Sequence, residues 1–301
     1  MLTSIDPLRV YLYNDGLVRF ATKTFSLKEE DLANSFIHVT NSIVNKDNEV
    51  FNYGEDYNEF DGHKWTFKTL LRYLKSEGND CSEMLEKLRS VALKTILCGR
   101  EDMEHGFKDA KLEYNCFKLF GFDVMLDEEL KPWLLEVNCF PSFEPETLDR
   151  SVNEPLIAEM FNIAGIHITK HLSQQQKNSI MIKQGWKSFH DFDPKLYRKY
   201  YNVKEDEASK ELGDEDLINE ANLTDMQVLK LIRSEEEISQ TRNFSRLYFW
   251  QDLDQSDDIG CMSCCETPLD KLEYAWKTRY GDNRRSGREI LTRLSQKFVL
   301  S

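Results

Sequence analysis

The chain has 301 residues, 40% hydrophobic and 12% aromatic, enough for one large or two modest domains with a real core. Its 39 Lys and Arg against 53 Asp and Glu give a net charge of −14, which excludes a general polyanion binder and requires any acidic substrate to meet a local basic patch. Seven scattered cysteines point to a reducing compartment, and with no apolar leader and no run of membrane-spanning length a soluble cytosolic or nuclear protein is expected.

In chain order, Leu8–Tyr13 and Leu17–Phe20 flank Asn14-Asp15-Gly16 and are expected to pair as a hairpin. Arg19 sits among apolar neighbours in the second strand, where the residue alone reads as an edge arginine snorkelling to solvent. Thr40 and Asn41 lie between apolar residues in Phe36–Lys46 (FIHVTNSIVNK), a place where such side chains cap loops. Lys64, in Gly62-His63-Lys64-Trp65, reads alone as a surface lysine. Asp80–Gly99 is predicted to be a helix, capped by Asp80 or Ser82 and stopped by Gly99. Its core stripe is Met84, Leu85, Leu88, Val91, Ala92 and Ile96. His105 follows in a polar loop, solvated.

Cys116–Phe143 (CFKLFGFDVMLDEELKPWLLEVNCFPSF) organises the rest. Phe117–Leu126 and Trp133–Cys139 read as strands joined by the polar turn Asp127–Pro132. Pairing symmetric about that turn sets Leu126 opposite Trp133 and Asp123 opposite Glu136. Two carboxylates facing each other repel unless a cation lies between them. Glu136 and Asn138 project from one face of their strand, Leu135 and Val137 from the other. One face therefore offers Asp123, Glu136 and Asn138, three hard oxygen donors suited to Mg²⁺; the other reading is an amphipathic hairpin whose polar face meets water. A helix Pro155–Ala164 follows, capped by Ser151 or Asn153, with Pro155 near its first turn and Gly165 at its end.

The run F-D-V-M-L-D-E-E-L-K-P-W-L-L-E-V-N resembles the metal-binding hairpin of the tubulin tyrosine ligase-like family, ATP-grasp enzymes that ligate amino acids onto tubulin tails. The resemblance implies that Asp123, Glu136 and Asn138 hold Mg²⁺ beneath the ATP phosphates, and that Arg19 clamps a substrate carboxylate or phosphate. It makes Thr40 and Asn41 ATP contacts. Ser42 replaces the family's usual aromatic in the amino-acid pocket, and Lys64 of the G-x-K-W match binds the carboxylate of the incoming amino acid. The first residues, LTSIDPLRVYLY, match the middle of a family segment. The family's upstream domain, phosphate-gripping lysines, adenine-pocket segment and one further arginine have no match here.

After about residue 168 the composition swings. Lys170–Lys204 carries eight basic and two acidic residues with interleaved aromatics, and Glu205–Glu220 carries eight acidic residues against Lys210. The acidic run reads as a solvated linker. The basic run is either a docking patch for acidic tails or a solvated helix face. Leu223–Ile238 reads as an amphipathic helix capped by Thr224. With Phe244–Phe249 and Tyr274–Leu294, it resembles the tail after the catalytic core in one branch of tubulin polyglutamylases. Cys261, Cys264 and Cys265 supply too few ligands for a structural zinc, and no histidine is close.

The expected fold is therefore α+β. It comprises the C-terminal half of an ATP-grasp domain over 1–168, largely antiparallel sheet with helices, then a linker over 169–220 and a mainly helical tail over 221–301. The expected reaction is ATP- and Mg²⁺-dependent addition of free L-glutamate to glutamate side chains of tubulin C-terminal tails through an acyl phosphate, in the cytoplasm on the cytoskeleton, with the cilium or basal body as a candidate site. Neither nucleic acid nor membrane is an expected partner. The alternative is a truncated, non-catalytic tubulin-binding or regulatory fragment.

Overall fold

In the computed structural model, the described residues are 1–52, 60–110, 117–143, 147–165, 173–183, 222–248 and 266–297. The architecture is α+β, with every strand pair antiparallel. Strands β1 (Leu2–Ser4) and β2 (Arg9–Tyr13) form a sheet with β7 (Phe244–Leu247), in the order β1-β2-β7. Strands β3 (Leu17–Arg19) and β4 (Lys64–Thr66) make a second sheet, and β5 (Gly121–Leu126) and β6 (Pro132–Asn138) a third.

The helices are α1 (Ser35–His38), α2 (Ser42–Asn45), α3 (Phe67–Ser76), α4 (Ser82–Cys98), α5 (Arg100–Ala110), α6 (Thr147–Ile163), α7 (Gln174–Lys183), α8 (Asp225–Gln240), α9 (Pro268–Tyr280) and α10 (Arg284–Lys297). Among the described residues, no helix is long and apolar enough to cross a membrane.

Period-two alternation along β2 and β7 explains the layering. Val10 pairs with Leu247, and both join Leu2, Ile5 and Leu8 against Ala92, Leu93, Ile96 and Leu97 of α4. Tyr11 and Phe244 face the opposite way and pack with Met160, Ile163 and Ala164 at the end of α6. A third core, Val228, Leu231, Leu272, Trp276, Tyr280, Leu291 and Leu294, binds α8, α9 and α10 together.

The tail is thus not purely helical, and it does not stand apart. Glu237 on α8 accepts from Arg9 (2.7 Å), Arg233 (3.1 Å), Tyr11 (2.9 Å) and Thr3 (2.7 Å). Glu273 on α9 accepts from Arg9 (3.1 Å) and from Arg246. Arg100 joins Asp270 (2.7 Å), which also takes the backbone N–H of Leu8. Glu159 of α6 accepts the backbone N–H groups of Arg242, Asn243 and Phe244, fixing the entry to β7.

Several local expectations need correction. The strands around Asn14-Asp15-Gly16 do not pair with each other: β2 pairs β1 and β7, and β3 pairs β4. A tight hairpin turn needs positive φ, and Gly16 is not among the residues that have it. Instead Asp15 accepts from the N–H groups of Gly16 and Lys68, and Gly16 O accepts from Phe67 N (2.8 Å), which pins the segment to the start of α3.

The helix before the hairpin caps on Cys81, with Asp80 accepting from Ser82 N (2.9 Å), and buries Leu93 and Leu97 beside Met84, Ala92 and Ile96. Gly99 ends α4 but only bends the chain, because α5 starts at Arg100; exposed His105 is therefore helical rather than in a loop. The helix placed at Pro155 starts at Thr147. Pro155 lies in its interior, where it forgoes one helical hydrogen bond, and α6 stops before Gly165 (φ 74°). Phe117–Phe120 precede β5 rather than extending it; Lys118 makes a two-bond bridge to Leu2. The Thr224 cap of α8 is present as a reciprocal capping box with Gln227. The C-x-x-C-C run, the acidic linker and the basic run apart from 173–183 lie outside the described residues.

Candidate functional site

The β5–β6 hairpin holds the candidate cluster. Asp127 builds the turn by accepting from the backbone of Glu129 (3.1 Å) and Lys131 (2.8 Å) and from Trp133 Nε1 (2.8 Å), with Leu130 in the left-handed region at φ 60°. The expected pairing of Leu126 with Trp133 is not found. Leu126 pairs with Pro132 and Met125 with Trp133, so the turn is one residue tighter. A register shift between Asp123 and Val124 then leaves Leu135 as the extra residue of a bulge, and Asp123 faces Glu136 after all. The bulge re-aims the end of β6. Phe122 turns inward against the α4 core, while Asp123, Glu136 and Asn138 share the outward face.

On that face Asn138 Nδ2 donates to Glu136 Oε1 (3.1 Å), and Arg19 Nη2 donates to Asp123 Oδ1 (3.2 Å) from β3. Partial burial first, and the bond to Glu136 second, push the Asp123 carboxyl above its ordinary range, against the pull of Arg19. The hydrogen bonds from Asn138 and Asp123 hold the Glu136 carboxyl below its own. Met125, Trp133, Leu135 and Phe140 are exposed around the cluster, Phe140 at 88%, with the ammonium of Lys118 3.4 Å from its ring centre.

The structure brings Arg19 to the carboxylates but draws Lys64 away. Arg19 and Lys64 are cross-strand partners in the β3–β4 ladder. Lys64, far from being a surface residue, is 5% exposed, and its Nζ lies 2.5 Å from Asp149 Oδ2 in the first turn of α6.

Thr40, Asn41 and Ser42 form a separate group. The Asn41 side chain caps α2 by accepting from Ile43 N (2.8 Å), and no hydrogen bond or ion pair among the described residues links the three to the carboxylates. Two residues that the sequence reading passed over hold these parts in place. Buried Asn45 ties Val39 O, Asn41 O and Thr22 together, and Asp149 anchors Lys64. The place of Asp149 in a helix's first turn emerges only because α6 starts at Thr147 and not at Pro155.

Among the described residues, no group of three or more His, Cys, Asp or Glu is placed to hold a metal; the hairpin offers two carboxylates and one amide oxygen. Such a set suits a hard divalent cation that keeps several ligands from water or a phosphate.

Comparison with known proteins places the chain among tubulin-modifying relatives by similarity. Mouse tubulin monoglutamylase TTLL4 is 43% identical over 166 residues, 54% of this chain and 14% of the relative. Mouse tubulin polyglutamylase TTLL5 is 39% identical over 176 residues, 55% of this chain and 13% of its own. A probable beta-tubulin polyglutamylase of Tetrahymena thermophila is 33% identical over 192 residues, 61% of this chain and 16% of the relative. The chain therefore spans only a small part of the curated relatives it matches. The model of the tubulin-tyrosine ligase family matches residues 1–177, more than half of the sequence and all of the candidate cluster, and the chain belongs to that family.

Proposed function

We propose that this chain is part of an ATP-dependent ligase that adds glutamate to glutamate side chains of tubulin C-terminal tails. The observation that carries the reading is the outward pairing of Asp123 with Glu136, with Asn138 in hydrogen-bond contact, on a hairpin within the family match. The relatives, mono- and polyglutamylases of tubulin, support the substrate and the amino acid added, and give no support to a non-catalytic fragment.

The donor set fits Mg²⁺. All its donors are oxygens, two can carry charge, and a divalent ion relieves the repulsion between the facing Asp123 and Glu136 carboxylates. Asp123, Glu136 and Asn138 would hold it; when bound, it supplies charge neutralisation for nucleotide phosphates. Arg19 would present its planar donors to a carboxylate or phosphate oxygen. Lys64, seated on Asp149, would have to leave that partner or be approached at it to hold the amino acid's carboxylate. Thr40 and Asn41 as ATP contacts, and Ser42 as a pocket residue, rest on the family resemblance. The reaction would run by attack of a tail glutamate carboxylate on the ATP γ-phosphorus with loss of ADP. The amino group of free glutamate would then attack the acyl carbon and expel phosphate.

In this reading residues 1–168 are the C-terminal part of an ATP-grasp ligase domain, 169–220 a linker and 221–301 a tail docked back on it, with the protein acting on the cytoskeleton, cilium or basal body included. Lys170–Lys204 would meet the acidic tails electrostatically. A second basic surface on α10, a shallow basin of about 420 Å³ lined by Arg284, Arg285, Arg288, Glu289 and Thr292, suits the same partner. The test is incorporation of labelled glutamate into tubulin by a ligase carrying this chain. Glu136→Gln should abolish it with the fold intact, and wild-type incorporation by that variant would refute the assignment.

A further inference from the structure

Arg19 reaches Asp123 from a different sheet. Among the described residues its strand β3 pairs only with β4, whereas Asp123 belongs to β5–β6, so the 3.2 Å contact joins two sheets that share no backbone ladder there. The contact is a single N–H···O bond and not a bidentate fork, and it is the one hydrogen bond the guanidinium makes among the described residues. A guanidinium has five N–H donors. Here the others point into a half-open setting, with the Arg19 and Asp123 side chains 36% and 34% exposed. An ion pair this exposed and this singly held yields readily to a competing charge. Lys64, opposite Arg19 in the ladder, is committed to Asp149.

The geometry points to Arg19 as a resident counter-ion of the carboxylate pair, one that a divalent cation displaces from Asp123 and so releases to grip an anionic oxygen of the substrate. The inference rests on the reading of Asp123, Glu136 and Asn138 as the cation site. A divalent ion needs the same Asp123 lone pairs that Arg19 now engages, and at ligand distances of about 2.1 Å it repels a guanidinium sharing that oxygen. Once freed, Arg19 remains on β3 beside the cluster with its planar fork unspent, the donor geometry that carboxylates and phosphates accept. Cation and anion therefore bind with positive coupling: each favours the arrangement in which Arg19 has left Asp123, and the coupling is reciprocal.

The test uses this chain with Mn²⁺ as the probe, its free concentration followed by electron paramagnetic resonance at low ionic strength. Asp123→Asn and Glu136→Gln should each weaken Mn²⁺ binding about tenfold or more, the loss expected for a charged ligand. Arg19→Gln should tighten it about fivefold to tenfold, and the gain should shrink in high salt. Arg19→Lys, which keeps the charge and loses the fork, should fall between wild type and Arg19→Gln, and it carries the test if Arg19→Gln fails to fold.

Mg²⁺ should also speed phenylglyoxal modification of Arg19 severalfold in the wild type and not in Glu136→Gln, read by peptide mass. Equal or weaker Mn²⁺ binding by the Arg19 variants, with the Asp123 and Glu136 variants impaired, overturns the counter-ion role and leaves the cation site standing. Wild-type Mn²⁺ binding by Asp123→Asn and Glu136→Gln overturns the cation site itself.

Discussion

Arginine meets carboxylate both where β2 joins the tail and at the hairpin, under opposite conditions. At the junction, Arg9 and Arg246 face Glu237 and Glu273 with side chains no more than 5% exposed, and both oxygens of Glu237 are taken twice over. Only Arg246 Nε and Trp276 Nε1 are buried without a partner among the described residues. At the hairpin, one singly bonded Arg19 faces two carboxylates that lean on each other, with Glu136 exposed. Charge that holds the fold is dry and paired with opposite charge. Charge available to a ligand is wet and left short of positive partners.

The sharpest way to break that contrast is Glu237→Ala, which removes the acceptor shared by Arg9, Arg233, Tyr11 and Thr3. The expected loss is about 3–5 kcal/mol by urea unfolding, the cost typical of breaking a buried ion pair by removing one partner. A loss below about 1 kcal/mol would erase the distinction. The same group sets a pH dependence. Burial alone would raise the Glu237 carboxyl, but Arg9 and then Arg233, Thr3 and Arg246 hold it below its ordinary range. Its stabilisation is thus present above the unfolded carboxyl pKa of about 4.3 and lost as pH falls through the lower folded value, which thermal melts between pH 6 and pH 3 would show.

Lys64→Ala tests which side of the comparison Lys64 belongs to. As a buried partner of Asp149 it should cost about 3 kcal/mol, while Lys64→Met with Asp149→Leu should stay near wild type. A cost within about 0.5 kcal/mol for the single variant would move Lys64 to the open site. Gly165→Ala should lose about 1–2 kcal/mol in the same assay, because φ is 74° and the added Cβ would lie 2.8 Å from Arg233 Nη1.

A smaller effect of opposite sign is expected from Asp123→Asn. The Asp123 carboxyl is raised on folding, so the wild type gives up stability as pH climbs from the unfolded value of about 3.9 through the folded one. The variant should melt slightly higher than wild type at pH 7 and equally at pH 3. Arg285→Ala, which breaks a pair with Glu289 whose side chains are 90% and 67% exposed, should change the unfolding midpoint by an amount corresponding to no more than about 0.5 kcal/mol.

What the sequence made legible was local chemistry. The Thr224 capping box, the Gly165 stop and the facing of Asp123 and Glu136 all depend on residues within a few positions or across one short turn. The facing survived because a tighter turn and a bulge at Leu135 offset each other by one residue, a cancellation no pattern announces. Asn14-Asp15-Gly16 had hairpin composition, but the strand before it found its partner in β7, as the bond from Ser245 to Asn14 across 231 positions illustrates, and the strand after it paired with β4. Lys64 looked like solvent-facing charge because its partner Asp149 lies 85 residues on, in a helix that Pro155 appeared to exclude.

The closure of the first sheet by β7 has a consequence in time. When β2 leaves the ribosome its pairing edge has no occupant, and the residues that will cover it are synthesised 231 positions later. At roughly 5–20 residues per second that is an interval of about 10–50 s, during which an unpaired strand rich in valine, leucine and tyrosine is open to other strands. The buried arginines help here: until Glu237 and Glu273 arrive, Arg9 keeps a charge on that edge, the kind of device that discourages strand-to-strand association.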